Sequence, residues 1–113
     1  MVAQELREYE QARKDYQQAL EIKIEYNDRY SQAGTYYQLG KIAEDLGEVD
    51  QAISDYMMDL KITAEFNDQH GLGISLRNLK RFYQSHSSGQ LLSAIGQAIG
   101  CSEAEVLQLF EQL

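Results

Sequence analysis

Hydrophobic residues recur at intervals of three and four along most of the chain, which is the spacing of an amphipathic helix. The stripe within Tyr9–Tyr26 consists of Tyr9, Ala12, Tyr16, Ala19, Leu20 and Ile24. A matching stripe occupies Val49–Ala64, and further stripes predict helices over Tyr30–Leu46 and about Gly71–Ser85. No segment alternates with a period of two for long enough to predict a strand. The pattern therefore predicts an all-α fold.

The chain also repeats itself at a fixed offset, because position 2 aligns with position 42. Over residues 2–28 and 42–68, 12 of 27 positions are identical. The matching pairs include Ala12 and Ala52, Tyr16 and Tyr56, Leu20 and Leu60, Asn27-Asp28 and Asn67-Asp68. Asn and Asp favour turns and helix caps, so the repeated dipeptide predicts where each long helix ends. A repeat of this length is typical of stacked helix pairs.

The repeated unit resembles the tetratricopeptide repeat in a longer form. The resemblance rests on Tyr36, Leu39, Gly40 and Ala43 in one helix and on Ala52, Tyr56 and Leu60 in the next. It implies a right-handed superhelical stack of antiparallel helix pairs over residues 1–88. The first repeat (1–28) is incomplete, the second covers 30–68, and the third (70–88) is degenerate, with Lys80 in the place of Gly40. HEAT or armadillo arrays, which have a similar period, are the structural alternative.

The incomplete first repeat carries a prediction of its own. Residues 2–8 correspond to residues 42–48, the end of a first helix, so we expect the chain to begin inside a repeat of a longer array. The next helix, Tyr9–Tyr26, then leaves its apolar stripe partly uncovered. Such a face predicts a homo-oligomer formed through the N-terminal half-repeat. The alternative is that a short first helix covers the stripe well enough.

Residues 89–113 fall outside the repeat. Helices are predicted over Gln90–Ile99 and Glu103–Leu113, separated by a C-capping Gly100 and a capping box that begins at Ser102. We expect a C-terminal helical cap on the last repeat, and a protein-docking tail is the functional variant. A helix-turn-helix is a third interpretation, but the tail contains no Lys or Arg to neutralise DNA phosphates.

Composition narrows the classes of function. A net charge of −8 argues against nucleic-acid and membrane partners. The start of the chain lacks a signal peptide and no apolar run approaches a bilayer span, which favours a soluble cytoplasmic protein. No HExxH motif, paired cysteines or Gly-rich phosphate loop is present, and the single Cys101 favours packing. We therefore predict no enzyme, with no catalytic residue, cofactor or metal.

The resemblance also implies where a partner binds, because the first helix of each pair lines a concave groove in the family. The positions carried over to this groove are Tyr37, Lys41, Glu44, Arg77, Asn78 and Arg81. The segment Gly71–Ser88 contains Arg and Lys but no acid, so an acidic peptide or C-terminal carboxylate is the candidate ligand. The alternative is a solvated helix face. The implied function is protein–protein interaction, as a scaffold or adaptor segment of a larger protein.

Overall fold

In a computed structural model that describes all 113 residues, the chain forms six α-helices and no strand. The helices are α1 (Ala3–Glu25), α2 (Arg29–Asp45), α3 (Val49–Glu65), α4 (Gln69–Ser85), α5 (Gly89–Ile99) and α6 (Glu103–Gln112). The all-α prediction is confirmed. The middle three helices contain 17 residues each, and α2 and α4 begin 40 positions apart, at Arg29 and Gln69.

The first three connections end each helix with the same backbone geometry. Asn27, Gly47 and Asn67 have positive φ angles of 55°, 77° and 52°. Glycine and asparagine adopt this left-handed region at the lowest cost, and it ends a helix sharply. The side chains of Asp28 and Asp68 then cap the following helix by accepting a backbone hydrogen bond from its first turn. The repeated Asn-Asp dipeptide therefore ends one helix and begins the next, as predicted.

One predicted boundary, near the N-terminus, was wrong. The helix expected to begin at Tyr9 after a turn is continuous with the preceding residues. The equivalent turn in the second unit depends on the positive φ of Gly47, whereas Arg7 occupies the matching position and favours continuation of the helix. The side chain of Glu48, the residue before α3, forms no capping bond.

The hydrophobic core is centred on α3, which packs against α2, α4 and α5, while α6 packs against α5 and α4. The core cluster comprises 13 buried residues: Ala43, Ala52, Tyr56, Met57, Leu60, Leu76, Leu79, Phe82, Leu91, Leu92, Ile95, Val106 and Phe110. Five of these 13 belong to α5 and α6. The C-terminal pair of helices therefore completes the core that the repeats begin.

Helix α1 is attached differently, because it contributes no buried residue at all. Its contacts with the rest of the molecule include polar ones. Arg13 forms a two-pronged ion pair with Glu48 at 3.1 and 3.0 Å, and Tyr9 donates a hydrogen bond to Asp45 at 3.1 Å. The Lys23 ammonium donates to the Thr35 hydroxyl at 2.7 Å. These bonds fix the position of α1, whose apolar stripe is half-buried from Tyr9 to Leu20 and exposed at Ile24.

Candidate binding groove

Helices α2 and α4 both pack against α3, and residues of all three helices line a cavity of about 350 Å³. Tyr30, Tyr37 and Glu44 stand seven residues apart, which places them on one face of α2. Tyr30 contacts the residue that caps α4, Glu44 contacts α4 itself, and Tyr37 lies between them. We call the space that α2 and α4 enclose over α3 the groove.

At one end of the groove, Tyr30 connects α2 to the beginning of α4. Its hydroxyl donates a hydrogen bond to Asp68 Oδ2 at 2.6 Å. This bond lowers the pKa of the Asp68 carboxyl and raises the pKa of the Tyr30 phenol. The Tyr30 ring also packs edge-on against Phe66, with ring centroids 5.2 Å apart. The aromatic ring is thereby held in place as a wall of the cavity.

At the other end, Arg81 of α4 pairs with Glu44 of α2. Both guanidinium nitrogens donate to the Glu44 carboxylate at 2.8 Å, and the Tyr56 hydroxyl donates to the same carboxylate at 2.7 Å. The Glu44 side chain is only 16% exposed, and the hydrogen bonds from Arg81 keep the pKa of its carboxyl low. The cation of Arg81 is therefore already neutralised within the protein.

The floor of the cavity contains a carboxylate without a cationic partner. Asp59 on α3 is 8% exposed, and its Oδ2 atom accepts one hydrogen bond, from the Ser75 hydroxyl at 2.9 Å. Burial raises the pKa of the Asp59 carboxyl from 3.8 to about 6, with only the Ser75 bond acting in the opposite direction. Burying an ionised group without compensation is unfavourable, so this residue destabilises the fold at neutral pH.

A second buried acid on the same helix provides a comparison. Asp55 is also 8% exposed, and burial raises the pKa of its carboxyl as well. However, Asp55 accepts a hydrogen bond from Gln51 at 3.2 Å, and the positive charge of Arg13 favours its ionised form. Asp59 lacks any such cation. The two acids therefore differ in charge compensation rather than in exposure.

The structure brings together some of the predicted site residues and separates others. Tyr37 lines the cavity, and the Lys41 ammonium lies 5.5 Å from the centre of its ring. Glu44 and Arg81 form the ion pair at the end of the groove. The remaining two residues take no part in these contacts: Arg77 is exposed and forms no ion pair, and Asn78 is half-buried. One of the cations in the basic segment Gly71–Ser88, Arg81, is therefore neutralised by Glu44.

Sequence analysis did not identify several of the residues that form the cavity. These are Tyr30, Gly34, Asp59, Asp68, Ile74 and Ser75. Two signals pointed to them. Asp59 stands where the preceding unit has Ala19, and Tyr30 lies seven residues before Tyr37. A polar residue within an apolar stripe indicates a special environment, but only the packing of three helices reveals which one.

Other chemical groups have structural explanations. Burial raises the pKa of the Cys101 thiol, which packs against the core cluster, so its thiolate is disfavoured. His86 stacks on Phe82, with ring centroids 4.7 Å apart. No group of three or more His, Cys, Asp or Glu side chains is arranged to hold a metal ion. None of the six helices combines the length and apolar composition needed to cross a bilayer.

Comparison with known proteins identifies the repeat. Residues 1–23 and 33–57 match the tetratricopeptide repeat family. The first segment covers most of α1, and the second covers most of α2 and the first half of α3. No curated protein and no solved structure matches the chain. The resemblance inferred from the sequence is therefore confirmed for these two segments, whereas the third repeat and the handedness of the stack stay predictions.

Proposed function

We propose that this chain, a tetratricopeptide-repeat protein, is an interaction module that binds an extended segment of a partner protein in the groove. Its family generally mediates protein–protein contacts and is typically not enzymatic. The observation that carries the proposal is the cavity of about 350 Å³ between α2 and α4, which has aromatic walls and a polar floor. A concave apolar site with a few polar groups is the usual form of a binding site.

The groove is also held open by contacts within the protein. The Tyr30–Asp68 bond fixes one end and the Glu44–Arg81 pair fixes the other, at 2.6 and 2.8 Å. A preformed site costs less conformational entropy on binding than one that must be assembled. A short peptide segment can therefore bind here with useful affinity.

The test uses a glycine that lines the cavity. A Cβ atom at Gly34 of α2 would meet no atom within 4 Å, so Gly34→Phe attaches a ring to the cavity wall at an unobstructed position. Gly89→Phe is the matched control, because Gly89 is equally unobstructed but lies at the start of α5. Peptides selected from a random display library against the native chain supply the ligands.

We expect selected peptides to bind Gly34→Phe at least about tenfold more weakly than the native chain, a loss of about 1.4 kcal/mol. Their affinity for Gly89→Phe should be unchanged. Equal binding to Gly34→Phe and to the native chain would show that partners use another surface. Failure to select any peptide would remove the proposal of a peptide-binding groove.

The acidic ligand predicted from the sequence has weaker support. Arg81 is neutralised by Glu44, which leaves Arg77 as the exposed cation of α4 without an ion pair. The variant Arg77→Glu tests this ligand class directly, because it reverses the exposed charge and leaves the Glu44–Arg81 pair intact. A loss of more than about tenfold in affinity for Glu-rich peptides would support it, and unchanged affinity would eliminate it.

Self-association through α1 is a second candidate function, because repeat-equivalent positions differ in exposure. Ile62 on α3 is fully buried, whereas Ile22 on α1 is 50% exposed and Ile24 is 54% exposed. A second copy of the chain that covers the C-terminal end of α1 would bury these two side chains, which lie on different sides of the helix. We expect a concentration-dependent dimer by light scattering.

A pair of variants distinguishes a specific contact at Ile22 and Ile24 from non-specific hydrophobic association. Ile22→Ser with Ile24→Ser should abolish the dimer. Leu107→Ser, at a residue 41% exposed on α6, should leave the dimer intact. A monomer at all concentrations would contradict self-association and leave the groove as the remaining candidate.

A further inference from the structure

The partner segment that the groove accepts is constrained by the charges around the cavity. The 11 residues that line it include two carboxylates, Asp59 and Asp68, and no Lys, Arg or His. Asp68 already accepts a short hydrogen bond from Tyr30 and caps α4. Asp59 is therefore the carboxylate with remaining capacity to bind a ligand.

The Asp59 carboxylate satisfies the requirements for a recognition group. It is more than nine-tenths buried, and only its Oδ2 atom accepts a hydrogen bond, from Ser75. The first unit has Ala19 at the matching position, so the helix does not need an acid there. A buried carboxylate without a cationic partner favours a ligand that brings positive charge and N–H donors.

The walls of the cavity suit the stem of a long cationic side chain. Tyr37 and Ile74 lie on opposite sides, from α2 and α4, and Ile74 is 43% exposed. Gly34 also lines the cavity, and a Cβ atom at its position would meet no atom within 4 Å. The methylene groups of lysine or arginine pack well against such surfaces, and aromatic faces attract the charged head group.

We infer that the cavity binds a lysine or arginine side chain of the partner segment, whose cation pairs with the Asp59 carboxylate between the rings of Tyr30 and Tyr37. This inference rests on the proposed function and specifies the ligand of the same groove. It assigns Asp59 as the residue that determines specificity. The raised pKa of Asp59 is consistent with a carboxylate that becomes compensated only when a ligand is bound.

Three capped pentapeptides, Ac-Ala-Ala-X-Ala-Ala-NH2, provide a direct probe, with X as lysine, norleucine or glutamate. Norleucine retains the stem of lysine without the charge. NMR titration of the Gly34 and Gly71 amide signals reports binding at the cavity, since both glycines line it. We expect the lysine peptide to bind at least about fivefold more tightly than the norleucine peptide at pH 7.

Variants of the two buried acids complete the test. Asp59→Asn should remove the advantage of lysine over norleucine, whereas Asp55→Asn should retain it, because Asp55 lines a different cavity. Equal binding of lysine and norleucine, tighter binding of glutamate, or a lysine advantage that persists in Asp59→Asn would overturn the inference. Absence of any shift up to about 10 mM peptide would overturn it as well.

The outcome also separates this inference from the broader proposal. Display-selected peptides that lose affinity for Gly34→Phe but contain no lysine or arginine would keep the groove and reject the cation. Selected peptides that bind Gly34→Phe normally would instead reject the groove itself.

Discussion

Individual residues in this molecule have opposite effects on stability: some permit close packing, and others destabilise the fold. Gly40 illustrates packing, since a Cβ atom there would lie 2.7 Å from two atoms of the Tyr56 ring. Tyr56 is 2% exposed and its hydroxyl is bound to Glu44, so the ring cannot move aside. Asp59 illustrates the cost, because its charge is buried without compensation. The first type of residue stabilises the fold, and the proposed binding site rests on the second.

Gly40→Ala should lower the free energy of unfolding by about 1–2 kcal/mol, because overpacking against Tyr56 outweighs the better helix propensity of alanine. Gly34→Ala on the same helix is the control, since its Cβ meets no atom within 4 Å. It should raise stability by about 0.5–1 kcal/mol. Urea unfolding followed by circular dichroism measures both. Equal effects of the two substitutions would contradict the close contact at Gly40.

Asp59→Asn should raise the free energy of unfolding at pH 7 by about 1–3 kcal/mol, because it removes a buried charge with little change in shape. The folded protein retains the Asp59 proton up to a pH of about 6, while the unfolded chain releases it near 3.8. The cost of the charge therefore grows as the pH rises from about 4 to 6 and is full above that range. Below about pH 4 the two proteins should differ little.

Urea titrations at several pH values test this prediction, with Asp55→Asn as the comparison. Arg13 favours the ionised form of Asp55, so that variant should gain less stability at pH 7. A stability difference between Asp59→Asn and the native chain that is the same at pH 4 and pH 7 would contradict the account.

At the scale of the helices, burial is unequal between repeat-equivalent elements. Helix α3 buries eight of its residues, whereas α1 buries none, although the two segments share much of their sequence. Sequence identity fixes which face of a helix is apolar, but its neighbours determine whether that face is covered. Helix α3 has neighbours on several sides, while the main contacts of α1 are with α2.

Helix α1 should therefore open at a lower free energy than α3. In native-state hydrogen exchange, we expect its amides to be protected at least about tenfold less than those of α3, because few buried contacts oppose local opening. Residues 12–22 and 52–62, which align in the repeat, are the appropriate comparison. Equal protection of the two segments would show that α1 unfolds only with the whole molecule.

The differences between prediction and structure also belong to this scale. Helix spacing and the Asn-Asp ends were predictable, because periodicity and capping are local properties of sequence. The start of α1 was not, because Arg7 continues the helix at the position where Gly47 ends it in the second unit. The positive charge that Gly71–Ser88 offers to a ligand was overestimated for a related reason. Glu44, which neutralises Arg81, is 37 positions away on another helix, so counting charges within one segment missed it.

At the scale of the whole molecule, the repeats and the C-terminal helices share one core. Leu91, Leu92 and Ile95 of α5 and Val106 and Phe110 of α6 are 6% exposed or less. Lys80, which replaces the repeat glycine, donates a hydrogen bond to the Leu113 carbonyl at 2.9 Å. The substitution that makes the third unit depart from the pattern is thus used to hold the C-terminal helix.

Truncation after Ser88 should expose the faces of α3 and α4 that α5 and α6 cover. We expect the shortened chain to aggregate or to lose most of its helical circular dichroism at room temperature, because five of 13 core residues are removed. Val106→Ala in the full chain is a milder test and should cost about 1–3 kcal/mol. A stable monomer with an unchanged unfolding midpoint after truncation would show that the repeats fold without the C-terminal helices.

The groove between α2 and α4 as a binding site is the central claim, and intermolecular NMR contacts test it most directly. The measurement uses isotope-labelled protein with an unlabelled display-selected peptide. Binding in the groove predicts nuclear Overhauser effects from the peptide to the Ile74 methyl groups and the Tyr37 ring protons, both of which line the cavity. Contacts confined to Ile22 and Ile24, the exposed isoleucines of α1, would contradict binding in the groove.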